Sequence, residues 1–262
     1  MVSEGHTGRG REGSRRPGAA PDLTIVIPAF REEVRLPASL ERIASYLVRE
    51  GRLGETELIV VDDGSPDGTG AVAEEAGARL GLALRVIRLP RNRGKGCAVR
   101  SGLAAASGAW ILVSDADLST PIEEWTKLVA AGSPIAIGSR AMDTSTVKVK
   151  QPLLRQAVGR LFNRLVQLLA VPGIQDTQCG FKLFERGAAR RILPFCGVDR
   201  FAWDVEALGV ARRLGIGVAE VPVLWFNSAD TRVTLGGGAQ AYLDLLRIAW
   251  RLRRVRALQK AP

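Results

Sequence analysis

From residue 23 onward the chain alternates short, nearly unbroken apolar runs with longer stretches of helical periodicity. The runs at 23–28, 57–61, 84–89, 109–114 and 134–138 are predicted strands. Strands covered on both faces read as near-continuous Val, Ile and Leu, as these do. Between them, 37–50, 67–80, 94–107 and 121–131 repeat apolar residues every three or four positions and are predicted helices. Pro37 and Pro121 suit first helical turns, and Gly51 and Gly81 stand where helices should stop. This order implies an α/β fold with a mostly parallel central sheet flanked by helices. After Arg140 the rhythm changes. A loop at 143–149, expected to be mobile, precedes a helix at 153–170 and a further segment at 175–184. Then come a helix near 203–214, a strand at 217–224, a polar loop and a terminal helix at 239–258.

At 262 residues the chain can bury one substantial core. The expected division is a disordered basic leader at 1–21, one α/β domain at 22–236, and a basic amphipathic helix at 237–262. The net charge of +10 suggests an anionic partner: nucleotide, nucleic acid or membrane surface. Cys97, Cys179 and Cys196 are odd in number and follow no zinc or redox spacing, which fits a reduced, cytoplasmic setting. The single histidine, His6, lies in the leader, which argues against Ser-His-Asp catalysis and His-ligated zinc. No stretch approaches the roughly 20 apolar residues that span a bilayer, so a soluble or peripheral protein is expected.

Parallel sheets bind ligands at the carboxyl ends of their strands, and four loops fall there. Pro28-Ala29-Phe30-Arg31-Glu32-Glu33 lacks the GxGxxG of dinucleotide sites; it suits either a base-stacking turn or a plain strand-to-helix turn. Val61-Asp62-Asp63-Gly64-Ser65-Pro66-Asp67 carries one acid more than turn chemistry needs, and a carboxylate there could accept a pyrimidine N–H or ribose hydroxyl. Arg91-Asn92-Arg93-Gly94-Lys95-Gly96 reads as a phosphate cradle at a helix N-terminus or as a solvated basic turn. Last, Asp115-Ala116-Asp117 sets two carboxylates at the mouth of a buried strand. Such a pair is costly unless a divalent cation with phosphate oxygens neutralises it.

Read in order, TIVIPAFREE, LIVVDDGSPDGT, RNRGKGCAV and LVSDADLSTP resemble the family 2 glycosyltransferases of GT-A nucleotide-diphospho-sugar transferase fold. Gly138-Ser139-Arg140, Asp176-Thr177-Gln178-Cys179-Gly180-Phe181-Lys182, Trp203-Asp204-Val205-Glu206 and Val221-Pro222-Val223-Leu224-Trp225 are similar to the dolichyl-phosphate glucosyltransferase branch, with dolichyl-phosphate mannose synthases as cousins. The resemblance implies an inverting, metal-dependent transfer of glucose from UDP-glucose to a polyprenyl phosphate at the inner face of a membrane. A mannose synthase using GDP-mannose is the alternative. It further implies that Pro28, Phe30, Glu32, Val61 and Asp63 hold base and ribose, with Ala116 behind the ribose. Asp115 and Asp117 would ligate Mg²⁺ or Mn²⁺, and Asp117, Arg140 and Arg155 would act on the diphosphate, with Lys95 as a further cation. Ser119 stands where mannose synthases of this type can carry a glutamine ligand, which leaves the remaining metal ligand open.

Asp176, Lys182, Asp204 and Glu206 would position sugar or acceptor; alternatively, Asp176 caps a turn while Asp204 and Glu206 merely open a helix. An ionised lipid phosphate needs no base to remove a proton, which suits a chain without a usable histidine. In the terminal helix, Tyr242, Leu245, Leu246, Ala249 and Leu252 form one stripe among Arg247, Arg251, Arg253, Arg254, Arg256 and Lys260. That pattern reads as an interfacial helix or as a core-packed one with solvated charges. Two other classes stay open. The Asp115–Thr120 loop also fits the nucleophile loop of haloacid-dehalogenase phosphatases, and the charge fits a nucleic-acid-binding module, although no aromatic stacking surface is visible.

Overall fold

The structure, a computed structural model, describes residues 22–140, 164–226 and 235–258, with side chains left aside at 235–241 and 254–258. The leader at 1–21, the loop at 143–149, the first part of the helix at 153–170 with Arg155, and the polar loop at 227–234 lie outside the described residues. So do Lys260 and the side chains of Arg254 and Arg256.

The strands are β1 (Leu23–Ala29), β2 (Thr56–Asp62), β3 (Ala83–Arg88), β4 (Trp110–Val113), β5 (Ile135–Ser139), β6 (Lys182–Glu185) and β7 (Val218–Pro222). They form one sheet in the order β3-β2-β1-β4-β6-β5-β7, parallel throughout except for β6. The helices are α1 (Leu36–Arg49), α2 (Thr69–Arg79), α3 (Lys95–Ala105), α4 (Trp125–Ala130), α5 (164–169), α6 (Arg186–Ile192), α7 (Trp203–Arg213) and α8 (Leu235–Leu258).

Strand residues alternate between two apolar layers, as a pleated sheet requires. Ile25, Ile27, Leu58 and Val60 pack with Leu40, Ile43 and Leu47 of α1, Ala73 of α2 and Leu128 of α4. Val26, Ile59, Val61 and Val113 pack on the opposite side with Val99 of α3, Ala189 of α6, Leu208 of α7 and Ile248 of α8. β3 departs from the buried strand predicted at 84–89. It is the sheet edge, with Ala83, Arg85 and Arg88 exposed, and its arginines pair with Glu57 (3.1 Å) and Glu74 (2.7 Å). Charged edges discourage pairing with other chains.

β6 is the element that periodicity did not reveal. Its first residue, Lys182, faces Val113 of β4 and Ile137 of β5 in register. Because β6 runs against both neighbours, its amino end lies at the edge where they end. The loop at 176–181 is therefore delivered to the carboxyl side of the sheet, beside the loops after β1, β2 and β4.

α8 also differs from its predicted stripe. Leu245, Ile248 and Leu252 are its buried face, whereas Leu246 is 62% exposed and lines up with exposed Leu243 and Trp250 at helical spacing. The helix has two apolar faces, and the one that includes Ile248 packs in the layer containing α7.

Candidate active site

The acid pair follows β4 in a tight, strained turn. Leu118 takes φ 47°, a left-handed conformation that β-carbons resist, and is held there by burial of its side chain. The Ser119 N–H donates to Asp117 Oδ1 (3.0 Å), and Ser39 Oγ of α1 donates to the Ala116 carbonyl (2.6 Å). The Phe226 N–H donates to the Ser119 carbonyl (2.8 Å), so the segment after β7 folds over this turn. Two half-exposed carboxylates are thus presented at the sheet edge by a fixed backbone.

Asp115 is engaged on both sides. Lys95 Nζ, from the first residue of α3, lies 2.5 Å from its Oδ1. A Cβ added at Gly180 would fall 1.9 Å from its Oδ2, so a side chain here would push this carboxylate from the place where the loop before β6 seats it. Burial pushes the Asp115 carboxyl up, but the Lys95 ammonium outweighs it and holds the group below the usual carboxylate range. Beside it, Arg140 makes a fork on Asp176 through Nε (2.8 Å) and Nη2 (2.9 Å), and its own N–H adds a third bond (2.9 Å). Burial raises the Asp176 carboxyl and the Arg140 guanidinium more than reverses this. Trp225 lies under the guanidinium at 5.6 Å. Asp176 also accepts the Gln178 N–H (3.3 Å), so it caps its turn as well as pairing Arg140. Its own N–H donates to Glu220 of β7 (2.8 Å).

Several expected site residues sit elsewhere or are otherwise occupied. Glu206 is a correction. Residues two apart on a helix point about 200° apart, so Asp204 and Glu206 of α7 face different ways. Glu206 is fully buried, accepts the Gly197 and Val198 N–H groups (both 2.7 Å) and pairs with Arg251 of α8 (2.8 Å). It locks α7 to α8 and is not offered to a sugar. Lys182 and Asp204 form a buried ion pair at 2.5 Å, 0% and 3% exposed, beneath the cleft. Burial pushes the Asp204 carboxyl up against the pull of Lys182 and Lys95. The pair supports Lys95 and Asp115 from below and has no exposed face for a ligand, a second correction.

In the nucleotide loops, Val61 is wholly buried among α3-side residues, so only its backbone is available to a base. Asp63 accepts the Arg93 N–H (2.9 Å) on one oxygen and the Gly94 N–H (2.7 Å) on the other, tying β2 to the glycine loop. Each oxygen retains one lone pair. Glu32 accepts two bonds from Arg35 (2.8 Å each), while Pro28 and Phe30 remain half-buried at the rim. The glycine loop is not an open phosphate cradle. A Cβ at Gly96 would meet the Val198 carbonyl at 2.4 Å, and the Cys97 N–H already donates to the Asp199 carbonyl (3.0 Å). Lys95 is what this loop brings to the site. The sequence alone assigns no role to Gly180, Leu118, Ser39 or Trp225; Gly180, Leu118 and Trp225 stand in family-like segments, which are their visible signal, and Ser39 carries none.

Among the described residues no group of three or more His, Cys, Asp or Glu side chains converges as a metal site. Asp115 and Asp117 offer two hard oxygen donors, too few for a self-contained site. They fit Mg²⁺ or Mn²⁺ that brings further ligands as diphosphate oxygens and water.

The description glycosyl transferase family 2 matches residues 24–193. A dolichyl-phosphate beta-glucosyltransferase of Mus musculus is 39% identical over 255 residues, covering 89% of this chain and 79% of the mouse protein. One of Dictyostelium discoideum is 35% identical over 242 residues, covering 87% and 74%. Glucosyl-3-phosphoglycerate synthase from Mycobacterium tuberculosis, solved with Mn²⁺, UDP and glucosyl-3-phosphoglycerate, aligns with a TM-score of 0.64 at 21% identity, over 90% of this chain and 86% of that one. That likeness speaks for the fold, GT-A, and the sequence relatives replace the phosphatase reading of the 115–120 loop. A parallel sheet with an acid pair after β4, met by an antiparallel β6, thus has its relatives: the chain belongs to the family 2 glycosyltransferases, among the dolichyl-phosphate beta-glucosyltransferases.

Proposed function

We propose that the protein transfers glucose from UDP-glucose to a polyprenyl, dolichyl-type phosphate with inversion, at the cytoplasmic face of a membrane. One observation carries this reading: the Asp115–Asp117 turn and the Arg140–Asp176 fork meet at one sheet edge in a chain of this family. Asp115 and Asp117 would hold Mg²⁺ or Mn²⁺, which when bound supplies neutralising charge for the departing diphosphate. Phe30 and Pro28 form the rim for the base, Asp63 offers its remaining lone pairs to base or ribose, and Ala116 backs the ribose. Arg140, held in one orientation by Asp176, presents positive charge to phosphate oxygens; Arg155, outside the described residues, is proposed to add a second such charge.

An oxygen of the acceptor phosphate forms the new bond to the anomeric carbon. The bond to the UDP oxygen breaks, its electron pair leaves with UDP, and no proton needs to move. Positioning and leaving-group electrostatics then account for catalysis without a general base.

For the acceptor, the protein must reach a bilayer, yet no helix among the described residues is long and apolar enough to cross one. The outward face of α8 suits an anionic lipid surface: Leu243, Leu246 and Trp250 are more than half exposed and stand among Arg247 and Arg253. Arg251 is already committed to Glu206. Each cation near an anionic leaflet is worth about 1 kcal/mol. Leu246→Glu with Trp250→Glu should release the protein from anionic vesicles while its melting curve stays unchanged; retained binding would remove α8 from this role.

The reaction is tested by a donor screen: purified protein, polyprenyl phosphate, Mg²⁺ or Mn²⁺, and radiolabelled UDP-glucose, GDP-mannose or UDP-N-acetylglucosamine. Glucose transfer is expected, and Asp117→Ala should abolish it in a folded protein. Preference for GDP-mannose would install the mannose-synthase reading, and no transfer from any donor would end the proposal.

A further inference from the structure

We propose that Lys95 is the resident counter-ion of Asp115, holding that carboxylate until a metal–diphosphate complex arrives and then passing its ammonium to the diphosphate. Metal and nucleotide thereby enter as one unit, and metal alone is disfavoured. The inference rests on the proposed metal site and adds an order of events to it.

The geometry carries it. Lys95 Nζ sits 2.5 Å from Asp115 Oδ1, and the Gly180 backbone lies close to Oδ2, so an incoming cation meets an ammonium on one oxygen and the loop before β6 beside the other. Asp117 is the other carboxylate of the turn, and among the described residues no group of three or more His, Cys, Asp or Glu side chains converges as a metal site. A bare divalent ion must therefore compete with the ammonium for Oδ1 and tolerate it nearby. Two cations at such separations repel strongly at the effective dielectric of a partly buried site. A metal that carries a diphosphate avoids this, because its phosphate oxygens accept the displaced ammonium.

Only the side chain has to move. The backbone of Lys95 is pinned where Gly94 and Gly96 pack on the 198–200 segment and Asp63 accepts the Gly94 N–H. Its side chain is 17% exposed and opens on the same cleft as Asp115, which is 40% exposed. A flexible four-carbon stem with a point charge suits such a transfer better than an arginine fork would.

Mn²⁺ binding, read from the electron paramagnetic resonance of free Mn²⁺ with and without UDP, tests this. Wild type should bind Mn²⁺ weakly alone and much more tightly with UDP. Lys95→Gln should bind Mn²⁺ alone roughly tenfold more tightly, the loss of one charge-assisted competitor, and should show less strengthening by UDP. Lys95→Arg should keep the low affinity for Mn²⁺ alone. Unchanged or weaker Mn²⁺ binding by Lys95→Gln overturns the proposal. Asp117→Ala separates the two ideas. If it leaves Mn²⁺ binding with UDP intact, the metal site itself is wrong; if it abolishes that binding while Lys95→Gln gains nothing, only the counter-ion role falls. Should Lys95→Gln fail to fold, reductive ¹³C-methylation of wild type reports directly: the Lys95 resonance should shift with Mg²⁺ plus UDP, and a shift with Mg²⁺ alone would refute the order of events.

Discussion

Gly180→Ala is the sharpest probe of how the site is built, because it adds one methyl group and no charge. The new Cβ would lie 1.9 Å from Asp115 Oδ2 and 2.5 Å from its Cγ, where ordinary contact begins at 3.4 Å. The carboxylate must retreat by about 1.5 Å, the difference between those limits. Its side chain is 40% exposed and can yield toward the cleft, so the clash should be relieved with a stability loss of about 1 kcal/mol or less. The displacement instead falls on catalysis. A misplacement of about 1 Å costs on the order of 100-fold, and kcat/KM should fall by about that factor, about 2.7 kcal/mol of transition-state stabilisation. Glucose transfer to polyprenyl phosphate in detergent, with thermal melting in parallel, measures both. Gly187→Ala, whose Cβ would meet nothing nearer than 3.7 Å, is the control and should leave both readings near wild type. A Gly180→Ala enzyme with near-normal kcat/KM would show that Asp115 need not sit where this loop seats it.

Further outcomes follow from the buried charges. Glu206→Ala strips two backbone donors and Arg251 of their partner, and should destabilise by about 3 kcal/mol in urea titration; a selective rise in KM for the donor sugar, with stability intact, would return Glu206 to the site. Lys182→Met leaves Asp204 buried and unpaired and should cost about 3–5 kcal/mol, whereas Lys182→Met with Asp204→Leu should recover most of it. An additive double variant would contradict the pairing. Asp176 titrates below its unfolded range, so the folded state holds its proton less tightly than the unfolded chain does. Its stabilising contribution is complete above about pH 5 and drains away as pH falls below about 4 through the folded value. Asp176→Asn should accordingly flatten the acid limb of stability; parallel curves for both proteins would refute this.

The first half of the fold is legible because β1, β2, β4 and β5 are covered on both faces and write that fact into unbroken apolar runs. β6 is not, since four residues beginning with a lysine carry no period, and its place depends on long-range register with Val113 and Ile137. For α8, periodicity finds the helix but not its orientation: apolar residues occupy two faces, and only packing against α7 decides that Ile248 goes in and Leu246 stays out. Of the site, Asp115, Asp117, Lys95, Arg140 and Asp176 lie at one edge, because they follow β4 and β5, open α3, or stand in the loop that leads into β6. Glu206 reads like Asp204 in the sequence, yet a two-residue step on a helix sends it to another face. The Gly180 contact belongs to three dimensions alone.

The late arrival of β6 has a bearing on synthesis at the ribosome. A nascent chain ending before Lys182 contains the first five strands, but β4 and β5 each lack the partner that completes the sheet between them. The open edges of β4 and β5 then invite pairing with other chains. The same unfinished chain already has its acid pair but not yet the Lys182–Asp204 ion pair that lies beneath it. Completing the chain through α7 therefore closes the central gap in the sheet and supplies the buried ion pair beneath the acid pair together.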